Sequence, residues 1–256
     1  MAISLQSLRS SRSDKPPRVL LYGVDGVGKT SLAAEFPNPL YLATEGEAPP
    51  HDIDIPTPGT IDSFDSLLDV FGELLGGGHD FKTVIIDSLD GLEPLVWAAT
   101  CRRLGVASIE EPGFGKGYTE ADTEWRDYIA ATSELSAAGL FVVQLAHPEI
   151  VRFDSPTTEP YSRYSVKLHK RANALLREAA DVVAFMNYRV TLKEKDVGFN
   201  KKISHAEGGN ERLIHLTEKA GFLAKNRYSM PDNLRYAKGK GFGELAKYWP
   251  MGVENG

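Results

Sequence analysis

The feature that most constrains this chain is a glycine-rich turn between an apolar segment and an amphipathic one. In the run Gly23-Val24-Asp25-Gly26-Val27-Gly28-Lys29-Thr30, two glycines flank four residues and are followed by Lys and Thr, which is the Walker A pattern. Glycine lets the backbone curl so that several N–H groups point at one phosphate group. The run therefore predicts a nucleoside triphosphate site that joins a strand ending at Gly23 to a helix beginning at Lys29.

The polar residues of this turn have separate predicted roles. The helix N-terminus adds partial positive charge, Lys29 neutralises the outer phosphates, and the Thr30 hydroxyl is a magnesium ligand. A plain strand-to-helix turn is the alternative, and it would require neither Lys29 nor Thr30. The predicted nucleotide-binding residues are Gly23, Asp25, Gly26, Val27, Gly28, Lys29, Thr30 and Ser31.

A second motif, Thr83-Val84-Ile85-Ile86-Asp87, is an apolar strand that ends in an acid, the Walker B form. Because a parallel sheet collects its binding groups at the carboxyl ends of its strands, Asp87 is predicted to lie beside the phosphate turn. There it would join Thr30 in the magnesium shell.

Composition limits the class of protein. The 256 residues, 42% hydrophobic and 25% charged, are sufficient for one large globular domain. The single cysteine, Cys101, excludes an internal disulfide and favours a reducing compartment. No apolar run reaches the roughly 18–20 residues of a membrane span. The net charge of −6 argues against coating duplex DNA by bulk charge, although it allows a local basic groove.

Apolar runs alternate with amphipathic stretches along the chain, which predicts an α/β fold with a mostly parallel sheet and helices on both faces. We expect a flexible leader over 1–17, a core over 18–236 and a C-terminal tail over 237–256. In Arg189–Leu216 short segments alternate with charge-rich turns, which predicts an antiparallel extension at the sheet edge.

The predicted strands are Arg18–Gly23, Pro39–Ala43, Phe81–Ile86, Gly139–Ala146 and Asp181–Tyr188. The predicted helices are Lys29–Phe36, Ile61–Leu75, Glu93–Leu104, Ala121–Ala138 and Leu168–Ala179.

Hydrolysis also needs a group that orients the attacking water. The strand after the phosphate-turn helix runs into Thr44-Glu45-Gly46-Glu47. Glu45 is therefore the candidate base and Glu47 the second choice. A solvated loop acid is the alternative interpretation.

The segment Tyr41–Gly46 resembles the strand-Thr-Glu-Gly segment of RecA-like recombinases, in which the glutamate activates water. In that family the acid lies on the strand adjacent to the P-loop strand. Val84-Ile85-Ile86-Asp87-Ser88 is likewise similar to the Walker B of RecA and KaiC. The resemblance implies a RecA-like P-loop core. It also implies that a polar residue at the end of the fourth strand, Gln144 or preferably His147, senses the γ-phosphate.

The stretch Tyr161–Arg171 holds four cations, two tyrosines and no acid. Cations that follow phosphates, beside rings on which bases stack, suit single-stranded nucleic acid. RecA-like recombinases place a DNA-binding loop after the corresponding strand, whereas a solvated basic helix face is the plainer alternative. The predicted DNA-binding residues are Tyr161, Arg163, Tyr164, Lys167, Lys170 and Arg171.

Lys225-Asn226-Arg227 is similar to the Lys-Asn-Arg motif of bacterial RadA. That similarity implies that Lys225 and Arg227 reach the γ-phosphate held by a neighbouring subunit and stabilise charge in the transition state. A pair of surface cations is the default alternative. The leader and Phe242–Trp249 are further candidate contacts between subunits.

Together these segments resemble phage-encoded RecA-like ATPases of the AAA type, including the fourth Sak class of single-strand annealing proteins. The resemblance implies a phage or prophage protein in the cytoplasm of a bacterial host, with ATP and Mg²⁺ as cofactors. Single-stranded DNA and further copies of the chain, in a ring or filament, would be its partners, and it allows a single-strand-binding protein as another. Annealing is favoured over strand exchange. A KaiC-like regulatory ATPase and a small-molecule kinase are the alternative functions.

Overall fold

The computed structural model describes residues 14–44, 46–196 and 202–249. The strands are β1 (Arg18–Gly23), β2 (Pro39–Ala43), β3 (Thr83–Asp87), β4 (Phe141–Ala146), β5 (Pro148–Phe153), β6 (Tyr161–Val166), β7 (Val182–Asp196), β8 (Lys202–His215), β9 (Lys225–Asn226) and β10 (Asn233–Tyr236). The helices are α1 (Lys29–Ala33), α2 (Phe64–Gly76), α3 (Leu89–Leu104), α4 (Lys116–Glu120), α5 (Asp122–Ala137), α6 (Lys170–Ala179) and α7 (Gly241–Ala246).

The main sheet has the strand order β10-β8-β7-β1-β4-β3-β2, with β9 paired to β7. Neighbours from β7 to β2 pair in parallel, whereas β8, β9 and β10 add in antiparallel fashion. The predicted α/β class, with its parallel core and antiparallel C-terminal extension, is confirmed. The expected position of β2 next to the P-loop strand is wrong, because β4 and β3 lie between β2 and β1.

Alternate residues of the central strands enter two cores, one on each face of the sheet. Leu20 and Tyr22 face the larger core, which α2, α3, α5 and α6 cover, whereas Val19 and Leu21 face the core beneath α1 and α7. This burial on both faces explains why the strands are continuous apolar runs. In the described part of the chain, no helix is long and apolar enough to cross a membrane.

Local capping sets where two helices begin. The Ser63 hydroxyl accepts a hydrogen bond from Ser66 N, and Ser66 Oγ accepts one from Ser63 N, so α2 starts at Phe64 rather than at the predicted Ile61. Ser88 caps α3 by accepting from Gly91 N, which starts that helix four residues before the predicted Glu93.

The segment after β4, where the resemblance to RecA-like recombinases implies a DNA-binding loop, is largely a hairpin. Strands β5 and β6 pair in antiparallel register from Pro148 opposite Val166 to Phe153 opposite Tyr161. We call these two strands and their turn the β5–β6 hairpin. The hairpin follows β4 directly, so it stands at the edge of the sheet where the P-loop also lies.

The segment predicted to be a C-terminal tail packs against the core as far as Trp249. Glu35, just after α1, accepts hydrogen bonds from Tyr236 Oη and from the backbone N–H groups of Gly239, Gly241 and Phe242. Trp249 is buried in the core beneath α1 and α7. Phe242 and Trp249, proposed above as subunit contacts, are therefore already packed within the chain; the leader, as far as residue 13, lies outside the described residues.

The outer side of β2 is bonded to the proline-containing loop that precedes α2. Tyr41 N donates to Pro56 O at 2.9 Å, and Ile61 N donates to Ala43 O at 2.7 Å. Ala43 and Thr60 form a short parallel bridge beside these bonds. The loop thus follows this border of the sheet.

Candidate nucleotide site

The P-loop connects β1 to α1 and depends on two glycines. At Gly23, an added Cβ would lie 2.2 Å from Met186 O, because β7 runs directly alongside β1. Gly28 has φ of +100°, a left-handed conformation that favours glycine. Val27 is fully buried behind the turn, Asp25 is exposed, and Ser31 lies half-buried in the first turn of α1. The predicted nucleotide-binding residues thus lie together in one turn.

Lys29 is the buried cation of the turn. Its Nζ donates to Gly23 O at 2.8 Å, and burial lowers the pKa of its ammonium group, opposed by Asp25, Asp87 and other acids nearby. A buried cation held by a neutral carbonyl gains strongly from an anionic partner. The position suits a phosphate group in the turn.

Thr30 and Asp87 meet where α1 begins and β3 ends. Thr30 Oγ1 donates to Asp87 Oδ2 at 2.9 Å, and Tyr41 Oη donates to the same oxygen at 2.9 Å. Burial, followed by the charge of Glu47, raises the pKa of Asp87 against these hydrogen bonds and Lys29. Because burial and Glu47 disfavour its negative charge, the ionised Asp87 carboxylate would be stabilised by a positive ion bound beside it.

These oxygens fit a magnesium ion. Mg²⁺ is usually held by one or two side-chain oxygens together with substrate phosphates, and Thr30 and Asp87 supply such a hydroxyl and carboxylate beside the phosphate turn. These two residues would hold the ion. When bound, it would neutralise charge on the phosphates.

Of the two candidate acids after β2, the structure describes only one. Glu45 lies outside the described residues. Glu47 lies at the site: its carboxylate is 3.8 Å from His147 Nδ1, and its charge acts on both Asp87 and Lys29. The structure therefore brings Glu47 of this loop to the P-loop.

The two candidate sensors differ sharply in position. Gln144 is buried and its Oε1 accepts from Tyr128 Oη at 2.9 Å, under α5. His147 follows β4 and faces the site, with Nε2 3.9 Å from Asp25 and Nδ1 2.9 Å from Asp90. The hydrogen bond with Asp90 raises the pKa of His147, although burial opposes it. This geometry favours His147.

One arginine that no sequence motif predicts also lies at the site. Arg212 of β8 reaches the P-loop: its Nη1 would lie 3.1 Å from a Cβ at Gly28, and its guanidinium lies above the Tyr236 ring. Tyr188 also reaches the P-loop, donating to Gly26 O at 3.1 Å. No local sequence pattern marks these residues, because strand pairing brings them there.

A cavity of about 540 Å³ joins the P-loop to the base of the hairpin. It is lined by Val24, Asp25, His147, Pro148, Glu149 and Lys167. The nucleotide site is therefore continuous with the segment predicted to bind DNA.

The predicted DNA-binding residues do not form one free basic surface. Arg163 lies 3.9 Å over the Phe153 ring and pairs with Glu218. Tyr164 is half-buried against Phe185, and Arg171 is paired with Asp122. The remaining members are less engaged: Lys170 is exposed, Lys167 is exposed with its Nζ 3.9 Å from Asp90 Oδ2, and Tyr161 is half-buried against Phe153.

Lys225 and Arg227 lie at the opposite edge of the sheet from the P-loop of their own chain, beside the start of β7. Lys225 Nζ donates to the carbonyls of Arg177, Glu178 and Ala180, which caps the end of α6. Arg227 is about half exposed and pairs with Asp181. Of the two, Arg227 is the more available to a neighbour.

A parallel sheet with the P-loop after its central strand, and with Thr30 bonded to the acid of β3, defines a P-loop nucleoside triphosphatase. Residues 15–228 match the model of AAA_24, a family described as an AAA domain, and the chain belongs to that family. It is thus an AAA-family P-loop ATPase. Among curated proteins, none matches the chain.

Proposed function

We propose that this ATPase binds single-stranded DNA, and that binding and hydrolysis of Mg-ATP control how firmly it holds the strand. The observation that carries the proposal is the Asp90–His147 pair, which lies between the P-loop and the β5–β6 hairpin. Annealing of strands in phage or prophage recombination would be the outcome, as the RecA-like resemblance implies.

Both ends of the hairpin segment are attached to α3. Asp90 accepts from His147 N, just before β5, and Glu93 accepts from His169 N, just after β6. Asp90 and Glu93 are one helical turn apart on the helix that follows Asp87. A shift of α3 when the phosphates bind would therefore move both ends of the hairpin together.

Separate residues of the chain would bind the phosphates, hold the magnesium ion and orient the attacking water. Lys29 and the P-loop N–H groups bind the phosphates, Thr30 and Asp87 hold Mg²⁺, and Glu45, with Glu47 as the second choice, orients the water. His147 senses the γ-phosphate and passes its presence to the hairpin through its backbone. In an oligomer, Arg227, with Lys225, completes the site of a neighbouring copy.

The proposal is tested by fluorescence anisotropy of a labelled oligothymidylate with a non-hydrolysable ATP analogue or with ADP. We expect binding at least about tenfold tighter with the analogue, and the same affinity in both states for His147→Ala. Gln144→Asn, which shortens a side chain held under α5, is the matched control and should keep the difference. Equal affinity of the unmodified protein in both states would refute the coupling.

A KaiC-like regulatory ATPase with a protein partner is the second candidate. The engagement of Arg163, Tyr164 and Arg171 inside the chain favours it, since these side chains are less available to a nucleic acid. Absence of any binding to single-stranded DNA, with normal ATP hydrolysis, would favour this candidate.

A further inference from the structure

A large opening on the described part of the chain does not include the glycine-rich turn of the P-loop in its lining. A cavity of about 1,100 Å³ lies between the β5–β6 hairpin and one face of the antiparallel extension. We call it the extension groove. Its lining includes Tyr164 from β6, Arg189 from β7, Glu211 and His215 from β8, Phe222 from the segment after β8, and Arg235 from β10.

Aromatic rings form the floor of the extension groove. The rings of His215 and Phe222 are 4.4 Å apart, and Phe222 stacks on the buried Phe185 at 5.2 Å. Tyr164 also stacks on Phe185, with ring centroids 5.0 Å apart. Burial lowers the pKa of His215, so its ring is uncharged at neutral pH. Phe222, His215 and Tyr164 remain partly exposed, which leaves ring surface open to a planar ligand.

Arginines outnumber acids along the sides of the groove. Arg189 and Arg235 share Glu211, at 2.9 and 3.1 Å, and both arginines remain largely exposed. Arg163 pairs with Glu218, and Arg163 Nε is buried without a hydrogen-bond partner. The acids are therefore insufficient to neutralise the arginines, which leaves positive charge in a protein of net charge −6.

We infer that the extension groove holds a segment of single-stranded DNA, with bases on Phe222 and His215 and phosphates beside Arg189 and Arg235. The inference rests on the proposed function and specifies its binding surface. Aromatic platforms flanked by cations suit unpaired strands, because every base has a face that stacks and every nucleotide carries a charge. A duplex offers no free base faces, and an apolar peptide would leave the arginine surplus without anionic partners.

The position of the groove gives the nucleotide a means of control. Tyr164 belongs to the hairpin whose ends are held by Asp90 and Glu93, whereas Arg189 follows Tyr188, which bonds to Gly26 of the P-loop. The two walls of the groove are thus attached to the nucleotide site by different elements. A relative movement of these walls changes the width available to the strand.

Three variants test the groove by anisotropy of labelled oligothymidylate in the presence of the ATP analogue. R189Q/R235Q should weaken binding at least about tenfold and reduce the slope of log K against log salt by about 1.4, because two phosphate contacts are lost. F222L keeps an apolar side chain but removes a ring, so it should weaken binding about fivefold or more and reduce quenching of a 2-aminopurine base in the strand. E211Q removes the shared acid and should strengthen binding.

Two control variants distinguish failure of the proposed function from failure of the groove as its binding surface. R102Q/K247Q makes the same change in charge on distant exposed surfaces and should leave affinity unchanged, and K167Q/K170Q tests the basic side chains outside the groove. If the unmodified protein binds no single-stranded DNA, the proposed function itself is refuted. If the unmodified protein binds single-stranded DNA, but only K167Q/K170Q weakens that binding, the proposed function stands and the assignment of the groove as the binding surface is refuted. Altered sedimentation of R189Q/R235Q and F222L with unchanged DNA affinity would make the groove an interface between copies, which also overturns the inference.

Discussion

Asp90 holds His147 by two atoms: Oδ1 accepts from the backbone N–H at 3.0 Å, and Oδ2 lies 2.9 Å from the ring Nδ1. The first contact holds the backbone just before β5, and the second holds the orientation of the His147 ring, which faces Asp25 and Glu47. Burial raises the pKa of Asp90, but the hydrogen bonds from His147 together outweigh burial and hold the pKa below its usual value, so the carboxylate is charged at neutral pH. The pair joins the nucleotide site to the hairpin.

Asp90→Asn should lower the pKa of His147 towards about 6.5, because the hydrogen bond and the charge of Asp90 raise it in the folded chain. The stability from this raised pKa is fully present below about pH 6.5 and is lost as pH rises through the folded value. The difference in unfolding free energy between the unmodified protein and the variant should therefore be larger at pH 6 than at pH 9. NMR titration of the His147 ring and urea unfolding at both pH values measure these effects. Equal differences at the two pH values would contradict the pairing.

Lys29→Ala should weaken ATP binding by about 100-fold, because hydrogen bonds to charged groups contribute about 1.5–3 kcal/mol each. Calorimetric titration with the ATP analogue measures the loss. Lys82→Ala, a change on the approach to β3, is the control and should bind normally. Unchanged ATP affinity in Lys29→Ala would exclude the P-loop as the phosphate site.

Glu45→Gln should lower single-turnover hydrolysis by about 10²–10⁴-fold while ATP still binds, as expected for loss of a general base. Glu47→Gln should lower hydrolysis by less than about tenfold, but it should also lower the pKa of His147, since Glu47 raises it. Rapid-quench measurements on both variants decide between the two acids. The reverse order of the two losses would assign the base to Glu47.

Arg212→Ala should raise the dissociation constant for ATP about tenfold, because it removes a guanidinium lying against Gly28 of the P-loop. Arg212→Lys should recover only part of the affinity, since an ammonium lacks the planar set of donors. Calorimetric titration of both variants, with Arg102→Ala as the control, measures the effect. Normal binding by Arg212→Ala would limit Arg212 to packing against Tyr236.

Glu35→Ala should destabilise the fold by about 2 kcal/mol, because the variant leaves backbone N–H groups of the C-terminal segment without their acceptor. Urea unfolding measures the change. Glu73→Ala, at an exposed position of α2, should change the unfolding free energy by less than about 0.5 kcal/mol. Equal small effects would mean that water replaces Glu35 without cost.

Most of the fold could be predicted because its signals are local. The buried parallel strands are short apolar runs: β1 and β2 have the predicted bounds, and β3 and β4 each begin two residues later than predicted. Strand β7 begins one residue later than predicted and continues to Asp196 instead of ending at Tyr188. The hairpin was missed because β5 and β6 are largely partly buried or exposed and so lack a continuous apolar run, and because their turn contains Pro156 and Pro160. Helix α4 has only five residues and its one buried residue is Gly117, so it presents no apolar face and was missed too.

The functional site, too, was predictable only where local motifs specify its residues. Lys29, Thr30 and Asp87 are set by two motifs, and the structure brings them together as predicted. Arg212 reaches the site only through the pairing of β8 with β7, so no local spacing indicates it. Asp90 is only three residues from Asp87, but its role depends on contact with His147, which lies 57 residues further along the chain. The engagement of Arg163 and Arg171 also depends on acids far along the chain, Glu218 and Asp122.

The loop bonded along the outer side of β2 has a consequence for self-association. An uncovered border strand offers a row of backbone donors and acceptors on which another chain can build. Here the bonds from Tyr41 to Pro56 and from Ile61 to Ala43 already occupy much of that row. Neighbouring molecules that meet this flank must therefore recognise it through side chains, which makes their fit dependent on shape and charge and discourages indiscriminate β-aggregation.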